Sequence, residues 1–420
     1  MPNRSLPKSR IFISHSAHEP HAKDVLNNLI KRLEVDFDVL CDKERLIAGQ
    51  EWRDELFTWM HQAHSAIILF SASALESDWV RTEASVLTWR LALDRGKTFR
   101  VIPVLLDPVA KKDLDEKRFS PMRLTTLQLV RTNDLSQIVD EVSTGLRHLL
   151  KSRPPETPFE KLERKVAHVL RDIDEAELLD AARAMDMDVS QWDDSTAYPG
   201  LLAAEMLRHG LPLAIKALRV LDDFLGPDDT STLIELIAPA WVNQHAASGI
   251  PQMAMRDDAA PRLLWVNGGD DYPEFTANHF IRRACCRTPN TSWPVLPVTN
   301  ESGEDEIGYY KRAIRESIKS KVVKVEDAKD SLVQSVLQKR ERDKEPVFVV
   351  FYPPGPSPDV IAALRKEFPT ITYFILTGNR TASGVPGRLP TDIDLLQPEL
   401  GPDDEAEAYS EYVAAIGYNR

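Results

Sequence analysis

The stretch SALESDWVRTEASV, residues 73–86, sets Trp79 and Glu83 four residues apart, directly behind the apolar run SAIILF. It reads as the opening turns of a helix that follows a strand, and residues at i and i+4 share a helix face. A carboxylate therefore stands beside a large indole. Two chemistries fit that placement. Facing a crevice, Glu83 can stabilise positive charge that develops on a bound group. Facing water, it is an ordinary helix carboxylate paired with Arg90 or Lys97, the usual state of a glutamate. Other reactive side chains sit in comparable places: Ser14, His15 and Ser16 follow one apolar run, Asp42 through Gly49 follow another, and Ser71 follows SAIILF. Ser14 and His15 read either as pocket residues or as turn residues capping the next helix. His15 also has the chemistry of a general base.

These groups converge only if the runs before them are parallel strands. RIFISHS, FDVLCD, SAIILFS and RVIPVLLDP alternate with the helix-like HAKDVLNNLIKRLEV, GQEWRDELFTWMHQAH and LSQIVDEVSTGLRHLL. In the first of these helices Val25, Leu26, Leu29, Ile30 and Leu33 recur at helical spacing. Alternation of this kind predicts a parallel sheet covered on both faces. Ligands of such sheets bind outside the carboxyl ends of the strands, and all three groups of reactive residues open there.

Composition narrows the class. The 420 residues are 43% hydrophobic and 28% charged, ordinary for a globular chain of two or three domains. A net charge of −13 argues against broad nucleic-acid binding. No apolar run approaches the ~18–20 residues of a membrane span, and MPNRSLPKSR leads into no apolar segment of a secretory signal. Cys41, Cys285 and Cys286 make no disulfide framework and fit no zinc spacing, so a reducing, cytoplasmic compartment and no metal are expected.

Four motifs carry a family resemblance: IFISHS, DKERLIAGQEW, AIILFSASALESDWVRTE and VIPVLLD, in that order. Within the third, Ser77, Trp79, Val80 and Glu83 spell S-x-W-V-x-x-E. Residues 9–150 thereby resemble a bacterial TIR (Toll/interleukin-1 receptor) domain, a flavodoxin-like parallel-sheet fold. Members with a glutamate at this place are NAD⁺ glycohydrolases, so the resemblance implies that Glu83 is catalytic and that NAD⁺ is a substrate, with no cofactor. The nicotinamide–ribose bond breaks through an oxocarbenium-like ribose. Nicotinamide leaves a cationic ring as a neutral molecule, so one carboxylate suffices and His15 has little to do as a base. The resemblance further implies a pocket lined by Ser14, His15, Ser16, Asp42, Gly49, Trp52, Ser71 and Trp79, Trp79 reading first as a core anchor. Lys43 or Arg45 meets the pyrophosphate. DKERLIAGQEW matches the loop that gates the pocket and contacts neighbouring TIR domains, so self-association is expected. The chain has no G-x-G-x-x-G, and NAD⁺ is not held as in a dehydrogenase.

The expected division is residues 1–150 as the TIR domain, a proline-rich linker KSRPPETP at 151–158, a helical block at 159–239 and an α/β domain at 240–420. The helical block resembles a death-fold-like, effector-associated module; a spacer bundle fits equally. The last block has strands RLLWVNG, WPVLPVT, PVFVVFYPP, ITYFILTG and DIDLLQ. Its LLWVNGGDDYPEF has the strand–loop–helix layout of a P-loop, but Asp270, Asp271 and Glu274 stand where a phosphate cradle needs glycine amides and a lysine. The block thus resembles an inactive STAND NTPase that senses a trigger or partner protein. The leading expectation is an NAD⁺ hydrolase of antiphage, abortive-infection type, switched on by assembly. The rivals are a TIR adaptor without catalysis and a receptor whose Arg282, Arg283 and Arg287 meet a nucleotide messenger.

Overall fold

The computed structural model describes residues 8–16, 18–42, 52–94, 98–115, 118–132, 134–150, 156–190, 192, 197–254, 262–269, 271–286, 293–299, 306–342, 345–353, 355–378 and 394–417. It divides into two units, residues 1–157 with 255–257, and residues 158–254 with 258–420.

The first unit runs β1 (Arg10–Ser14), α1 (Pro20–Leu33), β2 (Asp38–Leu40), α2 (Trp52–Gln62), β3 (Ser65–Phe70), α3 (Ala72–Glu76), α4 (Asp78–Asp94), β4 (Arg100–Leu105), α5 (Lys111–Asp115), β5 (Val130–Arg131) and α6 (Leu135–Leu146). Its strands lie in the order β2-β1-β3-β4-β5 and pair in parallel, as the alternation of elements predicts. Side chains alternate across each strand, and both faces are filled. Ile11, Ile13, Ile67, Leu69 and Val104 pack against α1 and α6. Phe12, Ala66, Ile68, Phe70 and Leu105 pack against α2 and α4. Burial on two faces explains why SAIILF is an unbroken apolar run instead of an alternating one. The strand order reverses between β1 and β3, and a crevice at such a reversal is where open sheets of this order bind ligands.

Residues 73–86 do not form one continuous helix. Ser77 is extended, with φ −75° and ψ 119°, and separates α3 from α4. Two serines make the break: Ser71 Oγ accepts from the Ala74 amide at 3.2 Å, and Ser77 Oγ accepts from the Val80 amide at 3.2 Å. Each is a helix N-cap. The serine of S-x-W-V-x-x-E therefore starts the helix that carries Glu83.

The second unit begins with helices α7 (Pro158–Leu170), α8 (Glu175–Ala184), α9 (Tyr198–Arg208), α10 (Leu211–Leu221) and α11 (Pro227–Ile237). Then follow β6 (Leu263–Val266), α12 (Pro273–Cys285), β7 (Val295–Val298), α13 (Glu306–Ser317), α14 (Asp330–Arg342), β8 (Phe348–Phe351), α15 (Pro358–Glu367), β9 (Thr372–Leu376), β10 (Asp394–Leu395) and α16 (Asp404–Gly417). A second parallel sheet has the order β10-β6-β9-β8-β7.

The helical block and this sheet pack as one body. Ala408 of α16 joins the core of Leu218, Leu221 and Leu233. Arg219 pairs with Glu411 at 2.8 Å, and the Tyr412 hydroxyl donates to the Glu235 carboxylate. The arginines that could have met a nucleotide messenger are spent in the same seam. Arg282 is 5% exposed and donates to the Glu235 backbone carbonyl; Arg283 donates to the Leu207 carbonyl at 2.9 Å. Burial and the Arg282 charge hold His279 well below the usual imidazole range, so its neutral Nδ1 accepts the Trp241 indole N–H at 2.8 Å. Arg287 lies outside the described residues.

The loop after β6 has the strand–loop–helix shape of a phosphate cradle, and the chain's own carboxylate fills it. Gly269, at φ +85°, donates its amide to both Glu405 oxygens at 2.9 and 2.8 Å. The Thr276 hydroxyl donates to the same group, which is 6% exposed. Glu274 accepts from the Tyr352 hydroxyl at 3.1 Å, Asp271 is exposed, and Asp270 lies outside the described residues. Among the described residues, no helix is long and apolar enough to cross a membrane.

Candidate functional site

Glu83 lies in the second turn of α4 and is 3% exposed. The reading as a solvated helix carboxylate is thereby excluded. Ser14, the last residue of β1, is fully buried, and its hydroxyl donates to Glu83 Oε2 at 2.5 Å. The β1–β3 register sets Ser14 opposite Ile68, so this contact sits at the carboxyl ends of the two strands where their order reverses. Arg90, one expected partner of Glu83, bonds the Met60 and Ala63 carbonyls and stacks 4.1 Å from the Phe99 ring centre. Lys97 lies outside the described residues.

Trp79 answers for the i, i+4 spacing. Its ring packs edge-on against Phe57 of α2, centroids 5.4 Å apart, which fixes the first turn of α4. The same side chain lies against Glu83 and lowers its pKa. The indole is therefore both an anchor and a neighbour of the carboxyl one turn on. Burial pushes the Glu83 carboxyl up to about 8; the Ser14 hydrogen bond pulls it down, the Asp42 charge raises it further, and Trp79 pulls it down. At neutral pH Glu83 is thus held as a neutral acid.

Serines join the loops around this group. Ser71 Oγ donates to the Ser16 carbonyl at 3.0 Å, and Ser73 Oγ bonds the same carbonyl. The Ser73 amide and hydroxyl each reach Glu19 at 2.9 Å. Glu19 is the N-cap residue of α1; Ser14 and His15 do not cap that helix. The loop after β1 is in this way tied to the loop after β3. On the other side, His15 Nε2 is 2.7 Å from Asp42 Oδ1 and 3.3 Å from Cys41 Sγ.

Of the residues expected at the site, Ser14, His15, Ser16, Asp42, Ser71, Trp79 and Glu83 gather at one edge of the sheet. Trp52 opens α2, with its side chain outside the description; Lys43, Arg45 and Gly49 lie outside the described residues. Cys41, Ser73 and Glu19 were not foreseen. Cys41 reads as a small apolar strand residue, and Ser73 and Glu19 matter only through contacts 54 residues apart in the chain. A groove of about 690 Å³ lined by Leu91, Arg100, Leu129, Val130 and Gly145 opens at the opposite, amino-terminal edge of β4 and β5, and none of the expected site residues lines it.

A buried neutral acid would become a strong electrostatic partner for a cation brought against it. It would then ionise, and burial would leave little water to screen the two charges. No curated protein matches the chain. The family model for the TIR domain matches residues 11–143, from β1 into α6, and this part of the chain is a TIR domain.

Proposed function

We propose that the TIR domain is an NAD⁺ glycohydrolase in which Glu83 is the catalytic carboxylate. One observation carries the reading: a buried carboxyl, poised by Ser14 and Trp79, at the point where the strand order reverses. A neutral adaptor surface has no use for a carboxyl whose burial raises its pKa that far. NAD⁺ brings a pyridinium and, as the bond stretches, a ribose cation. Both favour ionised Glu83, and its proton passes to solvent on binding. The C1′–N1 bond then breaks with its electron pair going to nicotinamide, which leaves neutral. Water captures the ribose carbon and releases a proton, or the adenine of the same molecule captures it and gives a cyclic product. Ser14 holds the carboxylate in place, and Asp42 and His15 line the mouth; Lys43 and Arg45 are assigned to the pyrophosphate.

TIR domains commonly self-associate, and in this reading assembly completes the pocket. The second unit restrains the enzyme until a trigger or partner protein arrives, as in an abortive-infection effector of antiphage defence. The filled Gly269–Thr276 cradle supports a sensor module without nucleotide chemistry. Incubating the assembled protein with NAD⁺ and separating the products tests the assignment. Free nicotinamide with ADP-ribose or its cyclic form is expected. Intact NAD⁺ in the assembled sample leaves the adaptor reading in its place.

A further inference from the structure

We propose that His15, Cys41 and Asp42 form a binding site for a divalent cation of the zinc class. The residues come from the ends of two neighbouring strands. His15 follows β1, Cys41 and Asp42 follow β2, and the strands pair in parallel from Arg10 opposite Asp38 to Phe12 opposite Leu40. The separation of 26 residues between His15 and Cys41 matches no zinc spacing, so the expectation of no metal followed from sequence. Only the strand pairing brings the three together.

Their ligand atoms all lie within 4.8 Å of one another. Nε2 of His15 is 2.7 Å from Oδ1 of Asp42 and 3.3 Å from Sγ of Cys41, and Sγ is 3.9 Å from that Oδ1. Tetrahedral zinc, with bonds of about 2.0–2.3 Å, sets neighbouring ligand atoms roughly 3.4–3.6 Å apart. The triangle already has nearly that size. Its short edge must open by about 0.7 Å and its long edge close by about 0.3 Å to meet that geometry. As it stands, His15 Nε2 is within hydrogen-bonding reach of both partners, and a cation would replace those contacts. A dication binds the Nε2 lone pair of the neutral imidazole, whose one proton then sits on Nδ1, and displaces the thiol proton, which goes to solvent.

The donor set selects the metal. A thiolate, an imidazole and one carboxylate suit zinc and its neighbours. Magnesium and calcium need several oxygens, and this triangle offers the oxygens of a single carboxylate. Cys41 is 2% exposed, whereas the Asp42 side chain is 37% exposed, so the ion enters from the Asp42 side and keeps a fourth position for water or a ligand. Binding would clamp the end of β2 to the end of β1. The inference stands apart from the NAD⁺ reading, because it requires neither Glu83 nor turnover.

The test is titration of the full-length, reduced, metal-free protein with cobalt(II) chloride, followed by zinc chloride. A stoichiometric thiolate-to-cobalt absorption band that zinc abolishes is expected. Cys41→Ser, His15→Ala and Asp42→Asn should each weaken uptake about 100-fold or more, since even changes behind the ligands cost 10–100-fold. Cys285→Ser with Cys286→Ser should leave the band intact. Asp42→Asn changes a half-exposed side chain, so it reports even if a variant at buried Cys41 fails to fold. Absence of a band overturns the site. So does a band that survives Asp42→Asn and His15→Ala, or one lost with Cys285 and Cys286.

Discussion

Glu83→Gln should stabilise the TIR domain at neutral pH, against the usual direction for a change in a packed site. In the folded chain the Glu83 carboxyl titrates near 8, and in the unfolded chain at about 4.3. The folded state therefore holds this proton more tightly. The stability it contributes is fully present below pH ~4 and is lost as pH rises through about 8. Each pH unit within that window costs about 1.4 kcal/mol, so the loss between pH 5 and pH 7 is roughly 2–3 kcal/mol. Glutamine keeps the shape, can accept from Ser14, and carries no proton to lose. The wild-type curve of stability against pH should fall away from that of the variant by this amount, since all other titrations cancel in the difference. Asp42 is the charged neighbour acting on the group, and it is present in both proteins. The assay is urea unfolding of the full chain at both pH values, with amide protection in β1 and β3 reporting on this unit. Parallel curves for the two proteins would refute the reasoning, because they would mean that Glu83 is already ionised and solvated.

Further consequences can be checked separately. The kcat/KM for NAD⁺ reports groups of the free enzyme, so it should climb about tenfold per pH unit and level off near pH 8, where Glu83 titrates. Ser14→Ala removes a hydrogen bond that lowers the Glu83 pKa, and the break in that profile should move to higher pH. Glu405→Ala leaves the Gly269 amide and Thr276 hydroxyl without their acceptor in a buried cradle, which should cost the second unit about 2–4 kcal/mol in thermal or urea unfolding. Arg282→Ala strips the Glu235 carbonyl of its donor and should cost a similar 2–4 kcal/mol or so; an unchanged melting curve would show that the seam is not held there.

Most strands of the two sheets were legible because their centres are short apolar runs bounded by polar turns. SAIILF and FVVF are buried along their whole length, and that pattern survives in sequence. The edge of the sheet on which the site lies followed from the parallel order alone. The break at Ser77 was not legible, since serine is tolerated inside helices and only its extended backbone reveals an N-cap. β5, with two residues, is too short to show a period. The acid at the site was readable as a residue type at a spacing, but its burial was not, because Ser14 meets it from 69 residues away. Glu405 and Arg282 are harder still. On α16 and α12 they look like surface charges, and only contacts across 129 and 47 residues turn them into buried partners.

The most direct measurement is the rate of nicotinamide release by assembled wild-type protein and assembled Glu83→Gln at equal concentration. Loss of one preorganised charge facing the developing cation should lower that rate by about 10²–10³, with the variant folded and still self-associating. Release of nicotinamide at the wild-type rate by Glu83→Gln would contradict the assignment.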